Sequence, residues 1–428
     1  MPDNRNAMDA EPGVARILMP ERQQVELREF HLDGAVPSDH RVRAVWAFVE
    51  GLDLAVLYRG IGAVEGGAGR PATDPRILMA LWLYATVEGV GSARALDRLC
   101  EEQLVYQWIC GGVGVNDHTL SDFRVQNSDV LDELLTQSVA ALTKEGIVDL
   151  ARVAQDGMKV RASAGASSFR RKKTLRACKR EAQEQVTVLK KELKEDPAGS
   201  SRRQEAARER AAQDRLERVK RALARTEELE KATRKEKQAV RVWTTDPDAR
   251  VMKMGDGGLR PAYNVQFSSD TGSQAVVGVA VNAAGNDQGE LVPMVDQIEG
   301  RYGIVPVETL VDGGYNGHSN LDALEGRTTV ITPVPQPKDA TVDPYRPKGT
   351  DSPAVALWRR RMKTASAKRI DKERAATAEC VNAPARNQGL LRFLVRGLDK
   401  VKAVALWYAL AHNMSRMIAY DMLGEAAA

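Results

Sequence analysis

The chain has 428 residues, 43% of them hydrophobic and 28% charged, with a net charge of +4. These figures predict a globular, soluble protein of two or three domains, and no stretch approaches the roughly 20 apolar residues of a membrane span. The polar start "MPDNRNAMDAEPG" is not built like an export signal, and the scattered Cys100, Cys110, Cys178 and Cys380 suggest neither a disulfide framework nor a zinc site. A reducing cytoplasm is the expected compartment. Charge is divided unevenly: residues 169–240 carry about +10, which leaves the remainder near −6. A basic segment favours a polyanion, and a carboxylate-bearing remainder suits a divalent cation.

Residues 1–30 read as a flexible lead-in, and 31–146 as an all-α domain. In "ATDPRILMALWLYATVEGVG", Thr73 or Asp74 can cap, Pro75 takes the first turn, and Ile77, Leu81, Trp82 and Tyr84 recur at helical spacing. Further helices follow in "SARALDRLCEEQLVYQWICGG" and "DHTLSDFRVQNSDVLDELLTQSVAALTKEG". Around "GVGVNDHTLSDFRVQ", a helix-turn-helix would present Thr119 and Arg124 to DNA; ordinary caps and bundle surface fit the same residues.

After Gly146 the pattern turns to β-prone runs. "IVDLARVAQDGMKVRA" is read as a strand ending on Asp156-Gly157, and residues 169–240 as an inserted antiparallel helical hairpin broken at "DPAGSS". Leu175, Cys178, Ala182, Val186, Leu189 and Leu193 form the seam of its first arm, and Leu216, Val219 and Leu223 that of the second. Its Arg170, Arg171, Lys172 and Lys173 could grip phosphates or simply be solvated. Beyond it, "RPAYNVQFSSD", "SQAVVGVAVNA", "VETLVDGG" and "TTVITPVP" read as strands, with a helix in "DQGELVPMVDQIEGRYG". Two helical stretches, "SPAVALWRRRMKTASAKRIDKERAATAECVNA" and "GLDKVKAVALWYALAHNMSRMIAYDML", close the chain. The whole predicts an α/β domain over 147–420 with a mixed sheet, and a short tail at 421–428.

Asp-Gly after an apolar run normally marks a hairpin turn. Neither Asp156 nor Asp312 is followed by a second alternating strand, since one leads to the insertion and the other to "YNGHSNLDALEG", a helical pattern. Carboxylates at strand ends of an α/β sheet lie where such sheets gather ligands. Two brought together repel unless cations sit between them, and Mg²⁺ takes hard oxygen ligands of this kind. A third carboxylate is usual, and Glu379 stands among alanines with Arg374 before it and Arg386 after; an ion pair explains that context equally well.

The combination of "VAQDGMKVRA", "RPAYNVQFSSD", "LVDGGYNG" and "AATAECVNAPARNQGLLRFLVRGLDKV…ALAHNMSR" resembles the Asp-Asp-Glu (DDE) transposases of bacterial insertion sequences. The resemblance spans about residues 30 to 420. It implies a ribonuclease-H-like catalytic domain flanked by helices and a helical N-terminal DNA-binding domain. It also implies Asp156, Asp312 and Glu379 as catalytic residues holding Mg²⁺ or Mn²⁺, with Arg374 and Arg386 as the basic positions that contact DNA or order the site. The implied partners are double-stranded DNA, both terminal inverted repeats and target, and a second copy in a homodimer or larger synaptic complex. No membrane is implied, and the setting is the bacterial cytoplasm at the nucleoid. Where many relatives carry a tyrosine this chain has Ile370 and Asp371, and where they carry a lysine it has Arg386, so a hairpin intermediate does not follow. A metal-dependent nuclease on the same fold and an inactive DNA-binding scaffold are the rival expectations.

Overall fold

Capping chemistry decides where the helices begin. In the computed structural model, which describes residues 30–64, 66, 70–195, 202–232 and 240–422, α1 (Arg41–Glu50) and α2 (Ala55–Arg59) lead to α3 (Pro75–Val87). Asp74 caps α3 by accepting from the Arg76 N–H, with Pro75 in the first turn. α4 (Ala93–Glu102), α5 (Leu104–Cys110), α6 (Asp117–Gln126) and α7 (Ser128–Lys144) follow. The expected lead-in over 1–29, the "DPAGSS" break and the last six residues lie outside the described residues.

β1 (Arg152–Arg161) does not end at Asp156-Gly157 as expected; it runs on to Arg161, because β5 pairs with its whole length from Val153 to Arg161. The chain then leaves through β2 (Phe169–Arg171), α8 (Lys172–Glu195) and α9 (Arg202–Ala232), and returns through β3 (Arg241–Trp243). The predicted antiparallel hairpin is present, with Leu175, Ala182, Leu216, Val219 and Ala222 buried in its seam. Its feet differ from the expectation. Arg170 and Arg171 lie in a strand, and β2 and β3 clasp the base antiparallel, with Phe169 stacked on Trp243 at 4.1 Å between ring centroids.

β4 (Arg250–Lys253) and β6 (Val276–Asn282) both pair antiparallel with β5 (Leu259–Asp270) on the edge away from β1. Next come α10 (Leu291–Tyr302), β7 (Glu308–Leu310), α11 (His318–Leu324) and β8 (Thr329–Ile331). β7 lies parallel to β1, and β8 parallel to β7. The order β6-β5-β1-β7-β8 is a ribonuclease-H-like mixed sheet. The first C-terminal stretch is two helices, not one: α12 (Pro353–Lys363) stops at Thr364, whose side chain caps α13 (Ala365–Asn387). α14 (Leu398–Ala419) ends the described chain.

α14 is buried nearly all round, as its run of alanine, leucine and tryptophan dictates, and lies between α3, α6 and α7 on one side and β6 on the other. One apolar cluster therefore runs from α1 through α14 into the sheet, so the helical N-terminal region shares its core with the sheet. Asn413 fastens this junction while fully buried. It accepts from the Val276 N–H at 2.7 Å, donates to the Val276 carbonyl at 2.9 Å, and reaches Ser138 Oγ at 3.2 Å. Asn413→Ala leaves both Val276 main-chain groups unpaired, and denaturant unfolding is expected to show a loss of about 3 kcal/mol. A loss within error of zero would mean that water or a repacked α14 replaces the amide.

Candidate active site

The geometry starts from the parallel pairing of β1 and β7. Ala154 is in register with Leu310, so Asp156 and Asp312, each two residues further on, emerge side by side. Asp312 ends its strand as expected. Its carboxylate caps the turn Gly313–Tyr315 by accepting from the Gly314 N–H at 2.7 Å, while its carbonyl accepts from the Thr332 hydroxyl. Asp156 accepts from the Gly157 N–H and from Asn382 Nδ2 of α13, both at 2.9 Å. Burial pushes its carboxyl up to about 6, helped by the charges of Asp312 and Asp287 and opposed by the Gly157 N–H and Arg374.

Asp287, in the loop before α10, is a third acid at this place that sequence reasoning missed. Asn264 Nδ2 and Gln266 Nε2 both donate to its Oδ1, at 2.6 and 2.7 Å. Gln266 is fixed in turn by Gln155 Nε2 and the Tyr315 hydroxyl. The only trace in the sequence is polar spacing: Asn264, Gln266 and Ser268 alternate with Val265 and Phe267 along β5, and all three are fully buried. Gly157 leaves the room they need, since a β-carbon there would collide with Asp287 and Gln266.

Glu379 is held apart. It lies on the exposed flank of α13, 3.5 Å from Arg386, and lines a cleft of about 500 Å³ with Phe267, His412 and Arg416. Asn382, not Glu379, is the α13 residue that touches Asp156. Among the described residues, no three His, Cys, Asp or Glu side chains form a group able to hold a metal ion. Asp156 and Asp312 nevertheless fit a divalent cation: they are hard oxygen donors, the Asp156 charge is poorly solvated, and the buried Asn382 Oδ1 beside it has no partner.

The other expected residues divide. Arg374 is half-buried and its charge acts on Asp156. Arg386 lines a trench that contains Asp312. Arg170, Arg171 and Lys173 are exposed, whereas Lys172 is tied to Glu230 at 2.7 Å and Glu227 at 3.6 Å. Thr119 serves the α6 cap, its N–H and hydroxyl both donating to Asn116. Arg124 does not face DNA: it is buried at 6% exposure, lies 4.5 Å over the Trp82 ring and donates to the Gly91 carbonyl. Trp407 Nε1 donates to its carbonyl, so the packing of α14 on α6 turned a residue expected at the DNA surface inward. His318 is exposed at the start of α11, and His412 is half-buried with Nε2 2.8 Å from the Gln274 carbonyl.

Two family models match the chain. Residues 30–126 match one described as Transposase domain (DUF772), and residues 346–418 match one described as Transposase DDE domain. Together the two matches support a DDE transposase. The second match covers α12, α13 and nearly all of α14, and so includes Arg374, Glu379 and Arg386. No curated protein and no solved structure matches the chain. The transposase acts on DNA, its family generally works with divalent metal, and no described helix is long and apolar enough to cross a membrane.

A carboxyl raised to about 6 in the folded chain makes a signed prediction for metal-free protein. Folding then favours the protonated form, a contribution present below the ordinary aspartate range near 4 and lost as pH rises through about 6. Asp156→Asn is therefore expected to raise the melting temperature in EDTA at pH 7, by an amount corresponding to at most about 3 kcal/mol, and to give no gain at pH 4. Scanning calorimetry at the two pH values checks it. An equal gain at both would show that the ionised carboxylate is not what strains the fold.

Proposed function

We propose that this transposase binds the ends of its own element, cleaves there and joins the 3′ ends to target DNA, with Asp156, Asp312 and Glu379 as the catalytic acids. The observation that carries the reading is the side-by-side emergence of Asp156 and Asp312 from neighbouring parallel strands, with a buried carboxyl that disfavours its own charge. The three acids would hold Mg²⁺ or Mn²⁺, which when bound activates the attacking hydroxyl and stabilises the departing oxygen of an in-line displacement. Arg374 moderates the charge on Asp156, and the Gly157 N–H and Asn382 orient it. Glu379 is paired with Arg386; a DNA phosphate that engages Arg386 would free Glu379 to join the two aspartates. Asp287 acts as a positioning acid, held at one oxygen by two amides and supporting the Asp312 turn, where a β-carbon on Gly314 would meet both carboxylates.

Recognition of the element ends belongs to the helical region 31–146, where Thr119 is the remaining candidate at the α6 start. Arg170, Arg171 and Lys173 at the hairpin base add backbone contacts within the catalytic domain 147–420. A synaptic dimer working on the bacterial chromosome completes the reading.

The test incubates the protein with a labelled element end and supercoiled target, with Mg²⁺ or EDTA. Asp312→Asn and Glu379→Gln are each expected to lower joining at least about 100-fold, and Asp287→Asn about 10- to 100-fold. Joining that survives Asp312→Asn, or nicking with no joined product from the wild type, would overturn this reading; the latter would mark a nuclease.

A further inference from the structure

A trench of about 770 Å³ runs from Asp312 and Asp287 along the end of β1. Its cations come from four separate parts of the chain: Lys159 and Arg161 from β1, Lys253 and Arg260 from the β4–β5 ribbon, Arg386 from α13, and Arg392 from the segment after it. Arg260 is paired with Asp256 at 2.6 Å and Arg386 with Glu379. Lys159, Lys253 and Arg392 make no salt bridge to a carboxylate among the described residues, and the charge of Arg161 acts on Asp256 without a direct contact. On the helical hairpin Lys172, Arg215, Lys220 and Arg225 each have a glutamate within reach, whereas Lys173, Arg176, Lys179 and Arg180 line one cleft of it beside Glu227, away from the aspartates.

Arg161 and Arg392 are moreover forced together. An isolated parallel bridge, with the Arg161 N–H on the Leu391 carbonyl at 3.1 Å and the Phe393 N–H on the Arg161 carbonyl at 2.8 Å, sets the two arginines side by side. Like charges so placed cost stability unless an anion lies between them. Leu391, 58% exposed, also lines the trench and offers a sugar or base face an apolar contact.

We infer that this trench grips the sugar-phosphate backbone of the DNA strand that adjoins the scissile phosphate, leading it to Asp312. The inference rests on the carboxylates being the reaction centre, and makes the trench, which contains Asp312 as the hairpin cleft does not, the main track for that strand. Successive phosphates meet Lys159, Arg161, Lys253 and Arg392, and Arg260 and Arg386 exchange their carboxylate partners for phosphate as the strand seats.

Binding of a labelled single-stranded oligonucleotide by the full chain in EDTA, followed by anisotropy from about 50 to 200 mM salt, tests this without catalysis. The combined variant Lys159→Gln, Arg161→Gln, Lys253→Gln, Arg392→Gln is expected to flatten the slope of log affinity against log salt by about 3, and Arg392→Gln alone by about 0.7. The hairpin variant Arg170→Gln, Arg171→Gln, Lys173→Gln is expected to change that slope by less than Arg392→Gln does. Circular dichroism melting confirms that each variant is folded; should the combined variant unfold, the single variant decides. An unchanged slope in the trench variants, or a larger loss in the hairpin variant, would overturn the inference. Joining that survives Asp312→Asn would instead remove the catalytic assignment, and would leave the binding result to stand or fall separately.

Discussion

The pairing of β1 with β7 is the constraint from which the site follows. Parallel strands in this register cannot avoid presenting Asp156 and Asp312 together, and the cover of α13 then denies Asp156 the water that would stabilise its charge. The fold tolerates this because the surrounding polar groups are arranged to share the load. Asn382 and the Gly157 N–H satisfy Asp156, while the Asn264–Gln266–Tyr315 network fixes Asp287 alongside. Burial and the neighbouring charges of Asp312 and Asp287 still disfavour ionisation of Asp156.

What keeps the strands in register is mostly far from the carboxylates. α14 joins the helical region to the sheet, and Asn413 replaces the strand partner that Val276 would otherwise need. The insertion between β1 and β4 leaves this frame intact because its feet are closed by their own small sheet. Its long helices then add charge to the surface without adding to the main core.

Charge is partitioned accordingly. On the hairpin, glutamates interleave with lysines and arginines, and Arg215, Lys220 and Arg225 among its cations are answered by them. Beside Asp312 and Asp287, cations from β1, β4 and the segment after α13 converge on one trench. The hairpin is the most basic stretch of the chain, but the trench is where cations from separate segments meet beside Asp312.

Local chemistry made much of this legible in the sequence. Caps at Asp74 and Asn116, the seam of the hairpin, the apolar character of α14, the period-two strands and the carboxylate at the end of β7 all follow from nearest-neighbour rules. The two Asp-Gly pairs drew attention to Asp156 and Asp312, which the parallel strands bring together, although pairing with β5 carried β1 straight through the first. Only the tertiary structure decided that Arg124 is buried under Trp82, that Asp287 stands with the aspartates, that Asn382 rather than Glu379 faces Asp156, and that Arg161 meets Arg392. Each of these depends on contacts between residues distant in the chain, fixed by strand register and helix rotation, which residue spacing does not encode.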